Sequence, residues 1–592
     1  MNKQEGDVLN TIFGSSYTNQ RVLAELSGHS LGAVNRSIKN LIKDGYLDEQ
    51  IRLTKKAHKE LRDKAPKNAV ILAAGFGMRM IPINMELPKA LLEVKGERLI
   101  ERIIRQLHEV GIREIYVVVG FMKEKFEYLL DEYGVELIVN SDFVKKNNLH
   151  SLKHALSHLS NTYIIPCDIW CRENPFCSHE LYSWYMVSDA LDSESSVYVN
   201  RKKELVSTKG KNGGNAMVGI SYLLEEQAAI IRKRIDEFSN DMRYNNSFWE
   251  EALYNQKRMI VYARVVHAAD VVEINTYEQL RKMDSSSNQL KSDAIDIITK
   301  TFHVKQDEVF DIIALKKGMT NQSFLFKCRE KKYIMRIPGE GTSQLINRVQ
   351  EADVYRVIRD KQICDNVIYI NPDNGYKITE YIENARVCDP MNVEDVAKCM
   401  SMLRKFHELE LHVEHEFDIF KQIDFYESLW NGLPSVYKDY NETKKKIFSL
   451  QEYINQYVDK KVLTHIDAVP DNFLLIQDGE KTESIRLIDW EYAGMQDPHV
   501  DIAMFCIYSL YNRQQVDQLI QDYFVEGCPN EIRIKIYCYI AVCGLLWSNW
   551  CEYKRNLGVE FGEYSLRQYR YAKDYYRYVL EELEKRENNV PC

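Results

Sequence analysis

The sequence predicts an α/β protein of several domains, and three observations carry that expectation. Its 592 residues exceed what one hydrophobic core serves, by the soft prior of about 100–200 residues per domain. Strand-like apolar runs alternate with amphipathic helical stretches through the middle of the chain, the order that builds a doubly wound parallel sheet. A polar break, Ser285-Ser286-Ser287-Asn288-Gln289, then separates that stretch from a longer one with a different order of elements. The expected domains are residues 1–66, 67–285 and 290–592.

Bulk properties narrow the class. A net charge of -9 argues against a protein whose main business is coating nucleic acid or anionic membrane. The 13 cysteines form no CxxC pairs, and the nearest cluster, Cys167, Cys171 and Cys177, lacks a fourth ligand. They read as reduced, mostly buried thiols of a cytoplasmic protein. The longest apolar run, residues 536–547, is shorter than the roughly 18 residues a membrane helix needs, and the N-terminus MNKQEGDVL has no signal-peptide core. Neither secretion nor membrane insertion is expected.

In the first segment, residues 19–26 read as a short helix, Gly28-His29-Ser30 as a turn, and residues 31–44 as an amphipathic helix with Val34, Ile38, Leu41 and Ile42 inward. A hairpin-like piece, residues 46–54, follows. This order resembles a winged helix-turn-helix of the MarR-like kind. The resemblance implies DNA as a partner, with Asn35, Arg36 and Lys39 of the second helix facing the major groove and Arg52, Lys55 and Lys56 near phosphates. One half-site makes few phosphate contacts, so tight binding requires a homodimer. The alternative is a packing module whose charges form a solvated face.

The middle segment opens on NAVILAA, residues 68–74, an inner strand ended by Gly75 and Gly77. Glycines let backbone N–H groups approach a polyphosphate closely; the cations Arg79 and Lys89 follow, the second stiffened by Pro88. No GK[ST] follows, so this is not a P-loop. The string LAAGxGxR, with PKALLEVKGERLIERIIRQL after it, resembles the nucleotidyltransferases that activate sugar phosphates and phosphocholine with a nucleoside triphosphate. The resemblance implies that Leu72, Ala73, Gly75 and Gly77 bind nucleotide and that Arg79 and Lys89 are catalytic.

Beyond the loop, residues 99–110 and 123–133 read as helices and 114–119 and 136–140 as strands. YIIPCD, residues 163–168, delivers one carboxylate at a strand end, and Mg²⁺ prefers one or two carboxylates plus substrate oxygens. In the resembled family this aspartate holds the metal, which marks Asp168, although Cys167 stands where a glycine is usual. A second ligand is expected in VVEINTYEQL: Glu273 is kept, but Asn275 replaces an aspartate. Asn147 belongs to an NN…SL element that borders the nucleotide in that family. Trp170, Tyr222 and Trp249, with Glu250, are candidates for holding a trimethylammonium group, since aromatic faces and a carboxylate attract such a cation.

In the last segment, residues 317–326 read as a turn between strands covering phosphates, with Thr320 and Asn321 at the nucleotide. Arg336, in YIMRIP, and Glu351, on a following helix, reproduce a strand cation paired with a helix glutamate, with Arg in place of Lys. His465-Ile466-Asp467 and Asn472 form HxDxxxxN, and Asp489 follows the next hairpin in IDWEY. One aspartate must reach the acceptor hydroxyl while an asparagine and a second aspartate hold Mg²⁺, which makes Asp467 the base and Asn472 and Asp489 metal ligands. The set resembles bacterial choline kinases within the choline kinase and aminoglycoside phosphotransferase superfamily, which implies a bilobal, protein-kinase-like fold. Trp547 and Trp550, three apart on a helix, match a tryptophan pair of that family's choline pocket, and Glu491 and Asp501 are candidates for the negative charge beside it.

Taken together, the resemblances imply a bifunctional enzyme: ATP phosphorylates choline, and CTP then cytidylylates phosphocholine. Open alternatives are an ethanolamine or sugar kinase joined to the matching nucleotidyltransferase, and a transcription regulator whose catalytic domains sense ligands.

Overall fold

Asn2 opens the chain's first helix, α1 (Lys3–Gly14), through a capping box with Glu5. The computed structural model describes every residue except 76, 78–79, 81, 84–86, 144–145, 209–212, 316–320, 340–344, 479–481 and 589–592. It contains two compact units, Met1–Ile297 with Ile312–Ala314, and Ile298–Asp311 with Leu315–Cys592.

In the first unit α1 is followed by α2 (Gln20–Ser27), capped by Asn19 and ended by Gly28 at φ 65°, then by α3 (Leu31–Lys43), capped by Ser30. A single bridge, Leu47 to Leu53, stands where a hairpin was expected, and α4 (Lys55–Asp63) closes the group. Val34, Ile38 and Leu41 point inward, joined by Val8, Leu9, Leu23 and Leu61, and Leu181 from a later loop completes this core. Arg36 and Lys39 are exposed as expected, but Asn35 is half-buried with its Oδ1 sealed from water. Arg52 is turned back onto Asp48 at 2.8 Å, and Lys56 donates to Asp44 O at 2.7 Å.

The large sheet begins at β1 (Asn68–Ala73), and α5 (Leu99–Glu109) leads to β2 (Glu114–Val119) and β3 (Glu136–Val139). After α6 (Asn148–His154) come β4 (Thr162–Pro166), β5 (Ile169–Cys171), β6 (Trp184–Asp192), β7 (Val197–Val199), β8 (Glu204–Ser207) and β9 (Gly214–Leu223). Helix α7 (Glu225–Ser239), β10 (Arg258–Val266) and β11 (Val271–Glu273) complete the series. Strand order is β3-β2-β1-β4-β9-β6-β10-β8-β7. Only the β3-β2-β1-β4 half is parallel throughout; β9 runs antiparallel to both β4 and β6. The expected all-parallel sheet is therefore half mixed. A parallel neighbour needs a long crossover, usually a helix, and after β4 the chain supplies the short strand β5 and loops instead.

β5 and β11 pair as a separate antiparallel ribbon, and Ile274 N donates to Asp168 O at 2.9 Å. This ribbon brings residues a hundred positions apart to one end of the parallel strands.

In the second unit β12 (Asn321–Cys328) and β13 (Lys331–Pro338) form a hairpin, followed by α8 (Arg348–Ile358), β14 (Val367–Ile370) and β15 (Lys377–Glu380); the strands neighbour one another as β12-β13-β15-β14. A helical part holds α9 (Val393–Glu408), the hairpin β16 (Phe473–Asp478) and β17 (Thr482–Leu487), α10 (His499–Tyr508), α11 (Asn530–Asn556) and α12 (Glu563–Asn588). By length and composition α11 could cross a membrane, but 94% of its apolar window is buried inside this unit, as the core helix of a folded body is.

Candidate active sites

In the first unit, β1 carries Leu72 and Ala73 to the sheet's carboxyl end, where ligands of such sheets bind. A side chain added at Gly75 would meet open space, whereas Gly77, at φ 65°, lies where a Cβ would be 3.4 Å from Lys89 Cβ. Glycine is needed there for the backbone angle. Arg79 falls outside the described residues. Lys89 starts a short helical turn, Lys89–Leu91, and is nearly buried. Its Nζ donates to Asp168 Oδ2 at 2.5 Å and to Asn275 Oδ1. The two partners come from the two strands of the ribbon's end, so the β5–β11 pairing is what assembles this cluster. Asp168 Oδ1 is buried without a hydrogen-bond partner.

Glu273, two residues before Asn275, is exposed at the end of β11. Asn147 is used as the N-cap of α6, accepting from Asn148 N at 2.8 Å and donating to Asn246 O at 3.1 Å.

The expected aromatic cage is not assembled. Trp170 already faces two cations, Lys95 Nζ at 4.5 Å and Arg102 at 5.0 Å from its ring centre. Tyr222 is fully buried, packs on one face of the sheet and donates to Lys64 O at 2.6 Å; Trp249 is buried on the other face. Residues on opposite faces of a sheet cannot close on one ligand. Glu250 is different: Tyr185 OH donates to its Oε1 at 3.0 Å, its Oε2 is buried without a partner, and burial pushes its carboxyl up to about 7.

In the second unit, the backbone around the HxD segment is held by Asp501. Its Oδ2 accepts from His465 N at 3.0 Å and its Oδ1 from Ile466 N at 2.7 Å, while His407 Nε2 lies 3.0 Å from Oδ2. Ile466 has φ 71° and Asp489 φ 68°, conformations that cost a branched or non-glycine residue energy and persist where the surroundings over-determine them. Asp501 is thus a loop anchor, and the expectation that it supplies charge beside an amine is corrected. Asn472 Nδ2 donates to Asp467 O at 2.9 Å and Oδ2 at 3.2 Å. Burial, with Asp489 and Glu491 nearby, raises the Asp467 carboxyl well above the usual range; burial also raises Asp489, against the pull of Lys377 and Arg336.

Arg336 grips Glu351 with both terminal nitrogens, Nη2 to Oε2 at 2.8 Å. Burial alone would raise the Glu351 carboxyl, but Arg336 and Lys377 take it down to about 2. Glu491 joins this network, accepting from Asn321 Nδ2 at 2.8 Å and Arg348 Nη1 at 3.3 Å. Its Oε2 therefore belongs to the strand-side ion cluster. Thr320 falls outside the described residues. Trp547, half-buried, meets Tyr492 edge-on at 6.2 Å and Trp550 at 5.3 Å; Trp550 is 4% exposed and packs on Phe561 behind it. Sequence reasoning missed Lys377 and His407, though a lysine between Tyr376 and Ile378 at the start of a strand is a readable sign of a buried partner.

Among the described residues no three His, Cys, Asp or Glu side chains gather as a metal cage. Both clusters instead offer one or two carboxylates with an amide, which suits Mg²⁺ shared with substrate oxygens.

Three family profiles match the chain: Winged helix-turn-helix DNA-binding over residues 1–48, MobA-like NTP transferase domain over 69–203, and Choline/ethanolamine kinase over 312–564. The choline-phosphate cytidylyltransferase of Streptococcus pneumoniae is 31% identical over 220 residues, 36% of this chain and 96% of that protein. Protein LicA of Haemophilus influenzae (strain KW20) is 27% identical over 263 residues, 42% of this chain and 96% of that one. Among solved structures, choline kinase LicA from Streptococcus pneumoniae aligns with 29% identity and a TM-score of 0.42, covering 48% of this chain and 100% of that one.

Proposed function

Because the chain belongs to the family of choline-phosphate cytidylyltransferases, we propose that it makes CDP-choline in two steps, phosphorylating choline with ATP and then cytidylylating phosphocholine with CTP. The observation that carries this reading is one chain holding both Lys89 beside Asp168 and the Asp467–Asn472–Asp489 set. Both reactions are in-line displacements at phosphorus, in which a protein mainly positions groups and neutralises charge.

In the second unit Asp467 accepts the proton of the choline hydroxyl. Its raised proton affinity suits that task. Asn472 and Asp489 would hold Mg²⁺, which supplies charge neutralisation between phosphate oxygens. Arg336 and Glu351 frame the ATP side, and Trp547 presents a face to the quaternary amine, with Trp550 buttressing it.

In the first unit the Gly75–Gly77 loop lies against the CTP phosphates and Lys89 balances the charge that develops on them. Asp168, whose Oδ1 has no protein partner, would hold Mg²⁺ together with the Asn275 amide oxygen. Glu250, as a carboxylate, faces the trimethylammonium group. The proposed setting of both steps is the cytoplasm. The exposed Arg36 and Lys39 of α3, with the matching profile, support DNA as a further partner, bound by a homodimer.

Product analysis with ATP, CTP, Mg²⁺ and labelled choline tests the reading. Phosphocholine and then CDP-choline are expected, and Asp467→Ala should abolish the first while leaving CDP-choline formation from supplied phosphocholine intact. A chain that turns over neither nucleotide would refute it.

A further inference from the structure

Lys377 is a buried charged residue at the start of β15 that the two reactions, as described, leave without a task. It pairs directly across the ladder with Arg336, β15 against β13. Both side chains are 6% exposed, and a lysine is seldom buried that deeply without partners. Its Nζ donates to Tyr355 OH at 2.7 Å and stands 3.6 Å from Glu351 Oε1. Arg336 has committed both terminal nitrogens to Glu351 and one of them also to Gly375 O at 3.0 Å. Arg348 Nη1 reaches Glu351 as well, at 3.1 Å. Three cations therefore converge on one carboxylate.

The arrangement follows from a difference between the two cation types. A guanidinium is a flat fork that a carboxylate occupies bidentately, whereas an ammonium is a compact charge on a flexible stem. With Arg336 locked as a fork on Glu351, the next strand supplies the compact charge. Gly375 keeps the arrangement tight: it has φ 73°, and a Cβ there would lie 2.8 Å from Arg348 Cδ and Pro338 Cγ.

We infer that Lys377 is a positioning residue of the phosphoryl-transfer site: with Arg336 opposite, it holds Glu351 from a second strand and fixes the cationic frame that the ATP phosphates meet. This rests on the kinase reading given above.

The test uses the full chain, with phosphocholine formation measured at varied ATP and varied choline, and cytidylyl transfer from supplied phosphocholine measured as a folding control. Lys377→Met is expected to raise the KM for ATP about tenfold, leaving the KM for choline and the cytidylyl transfer rate within about twofold. Lys377→Arg should recover most of the loss. Added to Glu351→Gln, Lys377→Met should do little more, because the two act through one contact. An unchanged KM for ATP in Lys377→Met overturns the inference, as does an equal decline in all parameters that Arg does not rescue. Should the parent bind ATP yet phosphorylate no amine, the kinase reading falls, and ATP titration of parent and Lys377→Met still decides the role of the lysine.

Discussion

Glu250 shows how much one buried carboxyl controls. Its ordinary value is 4.5, and burial takes it to about 7. Between those values the folded chain holds a proton that the unfolded chain has released. The group's contribution to stability is therefore complete below about 4.5 and is lost as pH rises to about 7. Glu250→Gln should flatten the pH dependence of melting over that window and leave the variant more stable than the parent above pH 7. In its proposed role the ionised form is the one that attracts the amine, so the KM for phosphocholine should fall as pH rises through about 7, and the Gln variant should lose that dependence in steady-state assays. A shared pH response in both proteins would remove Glu250 from the amine site. At this scale the sequence singles out Lys89 and Asp168 because each sits at a punctuated strand or loop end, and the structure brings the two side chains together. The contacts of Glu491 and Asp501 were not legible, since their partners lie tens to more than a hundred residues away in the chain: Arg348 and Asn321 for one, the His465–Ile466 backbone for the other.

Elements were legible where periodicity was strong. The parallel strands and α3 fell within a residue or so of expectation, because an apolar run or a capped amphipathic stripe fixes them locally. α1 and α4 were missed. α4 has only Ala57 and Leu61 to bury, and its stability comes from the surface it covers. The mixed half of the sheet was missed for a related reason, since strand direction depends on connections and not on composition. The helical group α1–α4 also takes Leu181 into its core, and Tyr182 OH donates to Asp7 Oδ1 at 2.5 Å. Leu181→Ala should cost about 2–5 kcal/mol locally. Hydrogen exchange should show α1–α4 losing protection while cytidylyl transfer persists; uniform protection would mean that the loop contributes no core.

At the scale of the whole molecule, fusion guarantees that both catalysts are made together, in equal number. It does not by itself require that the intermediate stay bound. Mixing Asp467→Ala chains with Lys89→Ala chains should therefore restore CDP-choline from choline, at a rate that rises with concentration, because phosphocholine released by one chain is free to reach another. Failure of the mixture, with each single reaction intact, would point to transfer within one chain.

The leucine that the helical group takes from a later loop has one more consequence. A head piece whose interior is finished by its neighbour loses part of that interior when it is cut free: it would keep a hole where Leu181 belongs, and the remaining body would show a bare oily knob.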